Sequence, residues 1–317
     1  MRIFPALAGA LLCLAMLSAA MAQETVTVTD DLGRTVEIPA HPSRIASLDD
    51  LRLSVPLIEL GVFPVASHGR PSDNGPYIRA SKILTGVDFD NSGIVFLGND
   101  LDIEALAKAE PDLIVTLASR DSPVDQLEKI APTLVFDPAV SDYLGIYDRL
   151  AEITGTQAKL DFLETRYATQ LAQLRRLVDA PSITVSVISG SDGAISVLHT
   201  FGSLGIVLRD AGFAFPAVYA DIAEGSEVEL SAEYLPQVDA DIIFDSFRAD
   251  RNETPADARA RMSEVIEGYC EALWACSNGQ YVILPREEIY AISYEGLSTA
   301  INMITALMSA QDLQLRP

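Results

Sequence analysis

The chain has 317 residues, with 22 Lys+Arg against 45 Asp+Glu, a formal net charge of −23. A protein this acidic is repelled by phosphate backbones, which excludes nucleic-acid partners. Three scattered histidines, His41, His68 and His199, give no metal-ligand spacing, and 18 of the 22 basic residues are arginine, whose rigid fork of donors suits planar oxygen acceptors.

The first segment reads as an export leader. Arg2, the apolar run of residues 6–17 and the small-residue stretch Ser18-Ala19-Ala20-Met21-Ala22 are the three regions of a signal peptide, with cleavage expected after Ala22. The apolar run is short of the roughly 20 residues that a membrane span needs. Leu12 is too bulky before Cys13 for the usual lipid-attachment pattern. No later segment is long and apolar enough to enter a bilayer, so the mature chain is expected to be soluble. Its length suits two domains, expected at residues 23–155 and 181–317 with a connecting helix at 156–180.

Residues 25–38 alternate apolar and polar around Asp31-Leu32-Gly33, a hairpin with a glycine turn. Pro39 and Pro42 then break the chain. Strand RIASL (44–48), a helix through VPLIEL, and strand FPVAS (63–67) follow, then a long polar loop. A helix over 101–110 leads through Pro111-Asp112 into strand LIVTLAS, and a helix over 123–131 into strand TLVFD (133–137). This rhythm argues for a parallel α/β sheet.

Residues 156–178 break it. Leu160, Leu163, Tyr167, Leu171, Leu174 and Val178 fall on one face at helical spacing, with no Gly or Pro before Pro181. A helix of that length, on the order of 35 Å, predicts a strut between two lobes. Beyond it come strand 182–189, helix 202–212, strand DIIFDSF (241–247), a single helix over 257–274, strand QYVILP (280–285) and a closing helix over 295–310. AEPDLIV (109–115) and QVDADIIF (237–244) repeat one device, a helix end, an acidic turn and a buried strand. Cys270 and Cys276 form an even, closely spaced pair that reads as a disulfide in an oxidising compartment, the alternative being two buried thiols. Trp274 is expected to pack behind that turn.

The order VTDDLGRTVEIPAHPSRIASL, LIELGVFPVAS, LDIEALAKAEPDLIV, QLEKIAPTLVF, then LRDAGF, LSAEYLPQVDADIIF and ALWACSNGQYVIL resembles periplasmic solute-binding proteins of iron–siderophore ABC importers, across the mature chain. The resemblance implies two Rossmann-like α/β lobes with parallel sheets joined by a single long helix, ligand held between them, and no catalysis. It implies a ferric siderophore as ligand, or haem or cobalamin in related branches, and an ABC permease in the inner membrane as partner. The protein itself is expected to be a monomer with no resident cofactor or metal site.

Ligands of open α/β sheets sit beyond the carboxyl ends of the strands. Those ends carry Arg52, Arg70, Tyr77, Arg79 and Arg120 in the first half, and Phe247, Arg248, Arg286 and Tyr290 in the second. Tyr219 lies where hydroxamate-binding relatives place an aromatic contact. The expected ligand-binding residues are therefore Arg52, Arg70, Tyr77, Arg79, Arg120, Tyr219, Phe247, Arg248 and Tyr290. His68 reads as a polar loop residue. A near-neutral hydroxamate chelate is expected ahead of a trianionic catecholate, because the whole chain is so acidic. Where relatives carry permease-docking glutamates, this chain has Val55 and Ile206, so either docking uses neighbours such as Glu59 and Asp210 or the partner permease differs from the usual pattern. An exported hydrolase is the reading from another class, since Ser203 lies near His199. Phe201, however, stands where a G-x-S-x-G nucleophile elbow needs glycine.

Overall fold

The computed structural model describes residues 24–120, 122–310 and 312–316, and the expected leader lies outside them. The hairpin of β1 (Thr25–Thr29) and β2 (Thr35–Pro39) is antiparallel and turns through Gly33 at φ +75°. Asp30 holds it against the first sheet, accepting from Arg34 Nε at 3.0 Å and from the Val135 backbone N–H at 3.2 Å.

The first sheet contains β3 (Ile45–Ser47), β4 (Ala66–Ser67), β5 (Val95–Phe96), β6 (Leu113–Leu117) and β7 (Thr133–Phe136). Its order is β5-β4-β3-β6-β7, with every pair parallel. All residues of β6 and β7 are buried, which is why they read as unbroken apolar runs rather than alternating ones.

The second sheet contains β8 (Val185–Ser191), β9 (Ala194–Leu198), β10 (Glu227–Leu230), β11 (Ile242–Phe247) and β12 (Tyr281–Pro285) in the order β10-β9-β8-β11-β12. The pairs β8–β11 and β11–β12 are parallel, whereas β8–β9 and β9–β10 are antiparallel. This corrects the expectation of a wholly parallel second sheet. Asp192 and Gly193 both have positive φ, the two-residue turn whose twist suits a tight hairpin.

The repeated acidic turn has a structural role. Asp112 accepts from the backbone N–H groups of Ser43 and Arg44 at 2.8 and 2.9 Å, fixing the entry to β3 beside β6. Asp241 does the same for β8 beside β11, accepting from Thr184 N–H at 2.6 Å. Each carboxylate satisfies backbone donors that would otherwise lack partners at a strand start.

The long helix runs Gln157–Leu177 and buries Leu160, Leu163, Leu171 and Leu174. The helix expected over 257–274 is instead three pieces, Pro255–Val265, Tyr269–Ala272 and Trp274–Ser277. Ile266 is extended and Gly268 has φ +73°, a left-handed conformation that no continuing helix can adopt. Cys270 and Cys276 are bonded across the last two pieces. Trp274 lies within that loop, its Nε1–H reaching the Gln314 carbonyl at 3.5 Å.

One continuous apolar cluster includes Leu53, Leu57 and Leu113 on the first-sheet side, Leu163 and Leu171 of the long helix, and Leu204, Phe244 and Leu297 on the second-sheet side. The two lobes are thus packed on shared hydrophobic side chains as well as joined by a helix. Among the described residues no helix is long and apolar enough to cross a membrane.

Candidate ligand-binding cleft

In the first sheet the strand order reverses between β3 and β6, which opens a crevice at their carboxyl ends. The chain leaves β3 into Asp49, whose side chain accepts from the backbone N–H groups of Leu51 and Arg52 at 3.1 and 2.6 Å and caps a short π-helical turn, Asp50–Ser54. That cap fixes two buried carboxylates side by side. Arg120, just past β6, pairs with Asp49 at 2.8 Å and reaches Asp50 at 3.4 Å. Arg79 binds Asp50 through both ends of its fork, Nε at 2.8 Å and an Nη at 2.7 Å, while Arg70 stands 3.9 Å from the same carboxylate. Burial pushes the Asp50 carboxyl up, but the Arg79 hydrogen bonds and the charges of Arg79, Arg70 and Arg120 outweigh it and hold it below its ordinary value.

Arg70 and Tyr77 are paired across an extended backbone bridge, Arg70 N–H to Tyr77 O at 2.8 Å and Tyr77 N–H to Arg70 O at 2.9 Å. Gly69 permits the close packing there, since a Cβ would lie 2.5 Å from the Phe89 ring. The bridge delivers both side chains to one cavity of about 190 Å³, shared with Arg79, Arg248, Arg251 and Arg286. Leu51, Ala80 and Ala291 form its apolar floor and make contact across the two lobes.

The far wall comes from the ends of β11 and β12. Beyond β11, Arg248, Asp250 and Arg251 line the cavity, and beyond β12 come Arg286, Glu287 and Tyr290. The Arg286 guanidinium lies over the rings of Tyr290 and Phe201, 4.0 and 4.8 Å from their centroids. Burial, with the Arg248 charge, lowers its pKa. Tyr77 crosses the cleft and its hydroxyl donates to Asp250 Oδ2 at 3.2 Å. Glu287 is pushed up to about 7, first by burial and then by the neighbouring Asp250 carboxyl. Tyr77 and Asp250 also border a second hollow, of about 390 Å³, on the side of Lys82 and Phe89.

Of the nine expected ligand contacts, Arg70, Tyr77, Arg79, Arg248 and Tyr290 line the cavity together. Arg120 stands behind them, bonded to Asp49 and Asp50. Arg52 turns away, its guanidinium over the Tyr143 ring at 5.4 Å. Phe247 ends β11 opposite Pro285 and is not among the lining residues. Tyr219 belongs to the core of the second lobe. Only 3% of it is exposed, and its hydroxyl is 3.0 Å from Ser186 Oγ and 2.7 Å from the Val187 N–H, so it cannot touch a ligand. His68, read as a loop residue, is buried behind the arginines with neither ring nitrogen hydrogen-bonded, and burial lowers its pKa.

Neither proposed docking acid is a free surface charge. Glu59 is buried, because it accepts from Tyr147 Oη at 2.8 Å and from the Tyr294 and Glu295 N–H groups at 2.9 and 3.2 Å. Asp210 is half-buried and accepts from Tyr167 Oη at 2.6 Å. The residues that sequence reasoning missed sit beside ones it found. Asp250 and Arg251 follow Arg248 within one loop, and Glu287 directly follows Arg286.

Among the described residues no group of three or more His, Cys, Asp or Glu side chains is arranged to hold a metal ion. The cleft offers arginine forks, tyrosine hydroxyls and an apolar floor, which is equipment for holding an oxygen-rich molecule.

Comparison with known proteins agrees with this architecture. The ferric-anguibactin-binding protein FatB of Vibrio anguillarum is 29% identical over 231 residues, 69% of this chain and 67% of FatB. The iron(3+)-hydroxamate-binding protein FhuD of Bacillus subtilis is 26% identical over 230 residues, 70% of this chain and 69% of FhuD. The crystal structure of BSU3320, described as a periplasmic binding protein component of a ferrichrome ABC transporter from Bacillus subtilis, superposes with a TM-score of 0.72 at 21% identity. That match covers 90% of this chain and all of the other. The family model described as periplasmic binding protein matches residues 95–264, more than half of the sequence, and the chain belongs to that family.

Proposed function

We propose that this protein is the substrate-binding component of an ABC importer, which captures a ferric siderophore between its two lobes and presents it to a membrane permease. The observation that carries this reading is the cleft itself, where arginines and tyrosines from both lobes converge over an apolar floor. A siderophore complex has its iron saturated by its own oxygens. It needs from the protein only donors to those oxygens and flat apolar contact, which these residues supply. The FatB and FhuD relatives are named for two different ferric chelates, anguibactin and a hydroxamate, so more than one chelate class is to be tried. Residues 1–22 would export the chain, and the working form is a monomer.

The test is titration of the purified mature protein with hydroxamate, carboxylate and catecholate ferric chelates, haem and cobalamin, followed by calorimetry and by quenching of tyrosine fluorescence. Tyr77 and Tyr290 line the cleft, whereas Trp274 lies beside residue 314 and should respond less. Tight binding of at least one ferric chelate is expected. Binding of haem or cobalamin alone would redirect the reading within the family, and turnover of an ester or peptide substrate would end it.

A further inference from the structure

The cavity wall runs against the charge of the molecule. In a chain of net charge −23, five arginines line a single cavity of about 190 Å³. Asp50 engages Arg79 and faces Arg70. Arg248, Arg251 and Arg286 form no ion pair among the described residues. Among the described residues the lining carboxylates are Asp250, which accepts from the Tyr77 hydroxyl, and Glu287, which accepts from the Ala249 N–H at 3.2 Å. Leaving arginines close together and short of counter-charge is costly in a partly dry site, and a bound anion relieves that cost.

From this geometry, and resting on the function proposed above, we propose that the cleft selects a ferric chelate of net negative charge, whatever its iron-binding groups, and that Glu287, on the cavity wall beside Arg248, Arg251 and Arg286, takes up a proton from solvent as the chelate enters. An anion seated among Arg248, Arg251 and Arg286 lies beside Asp250 and Glu287, because both acids border the same cavity. Two ionised carboxylates would repel it. A proton on Glu287 removes one negative charge and leaves the arginines to the ligand.

The other groups facing the two acids act consistently. Tyr77 donates its hydroxyl to Asp250 from the first lobe and stays neutral, its pKa raised by burial and by Asp250. Arg70 stands beside it on the backbone bridge. On the 286–290 helix, Arg286 is held by aromatic faces rather than by an acid, so its donors remain available. Burial and the neighbouring Asp250 push the Glu287 carboxyl up to about 7, and a nearby anion raises its proton occupancy further at neutral pH. Affinity for an anionic chelate therefore rises as the pH falls from 8 to 6.

The experiment is calorimetry on the wild type and Glu287→Gln at pH 7, in phosphate and in Tris, whose ionisation enthalpies differ. The probes are ferric citrate, a ferric tricatecholate and a neutral ferric trihydroxamate. At least one anionic probe should bind roughly tenfold or more tightly than the neutral one. Its binding heat in the wild type should depend on the buffer in the sense of proton uptake, and Glu287→Gln should abolish that dependence. Equal or tighter binding of the neutral chelate, or no proton uptake in the wild type, would overturn the proposal. Failure of every ferric chelate to bind is a separate result, which removes the function on which the proposal rests.

Discussion

Glu59, in the first helix of the first lobe, caps the closing helix of the second, its Oε2 accepting from the Tyr294 backbone N–H at 2.9 Å across 235 positions of sequence. The same oxygen accepts from Tyr147 Oη, and Oε1 accepts from the Glu295 N–H. Tyr147 and Tyr294 pack edge to face around it, with centroids 5.0 Å apart. One carboxylate thus satisfies donors from a helix of each lobe in a place that water does not reach.

Removing it should be severe. Glu59→Ala leaves a buried hydroxyl and two backbone N–H groups unpaired, and we expect a loss of about 3 kcal/mol of stability by urea denaturation. Glu59→Gln keeps one acceptor and should lose about a third of that. Burial raises the Glu59 pKa against the pull of its donors. A raised carboxyl favours the folded state at acid pH and loses that advantage as pH rises through the unfolded value toward the folded one. The gap between wild type and Glu59→Gln should accordingly shift with pH above 4.5, the ordinary value.

The Asp50 carboxylate has the opposite sign. Its pKa is held below 3.8 by the surrounding arginines, so its contribution is fully present above that value and is lost as the pH falls below it. Asp50→Asn should cost about 3 kcal/mol, because it strands the Arg79 fork beside a neutral group. The same change should weaken chelate binding roughly tenfold by loosening Arg70 and Arg79. Denaturation at pH 3 and 7 and one binding isotherm check both statements. An Asp50→Asn protein as stable as wild type at pH 7 would contradict the first.

These two acids show what a sequence does and does not disclose. The arginines beyond strand ends were readable because strand ends can be located from apolar runs, and the carboxyl-end rule then places the ligand. Glu59 sits in a short amphipathic-looking helix, and nothing local announces that its partners are residues 147, 294 and 295. Tyr219 was misplaced for the same reason, its hydroxyl being claimed by Ser186 and Val187 from another strand. The β8–β9 hairpin did leave a local signal, Asp192-Gly193 between apolar runs, which outweighs the expectation of a wholly parallel sheet. Gly268 likewise marks the break in the helix expected over 257–274.

The disulfide should be structural and local. Cys270 and Cys276 close a loop six residues apart and are not among the residues that line the cleft. Replacing both with serine should cost about 2 kcal/mol and leave chelate affinity unchanged. Thermal melts and a binding isotherm on the double variant decide it, and a lost isotherm in a folded protein would tie the loop to the ligand site.

Ligand capture should involve little motion. The lobes share one apolar cluster that passes through the long helix, and Leu51, Ala80 and Ala291 touch across the floor of the cleft. A wide opening would expose those side chains, at about 25 cal/mol for each Å² of apolar area uncovered, and the helix Gln157–Leu177 is a stiff element that resists a hinge rotation. Closure should therefore consist of arginine and tyrosine rearrangement, with Tyr77 leaving Asp250 as the ligand joins the hollows on either side. Small-angle scattering should show the radius of gyration of the free and loaded protein agreeing within roughly 1 Å. A larger compaction on loading would mean that the shared core parts in the free state, contrary to the packing seen here.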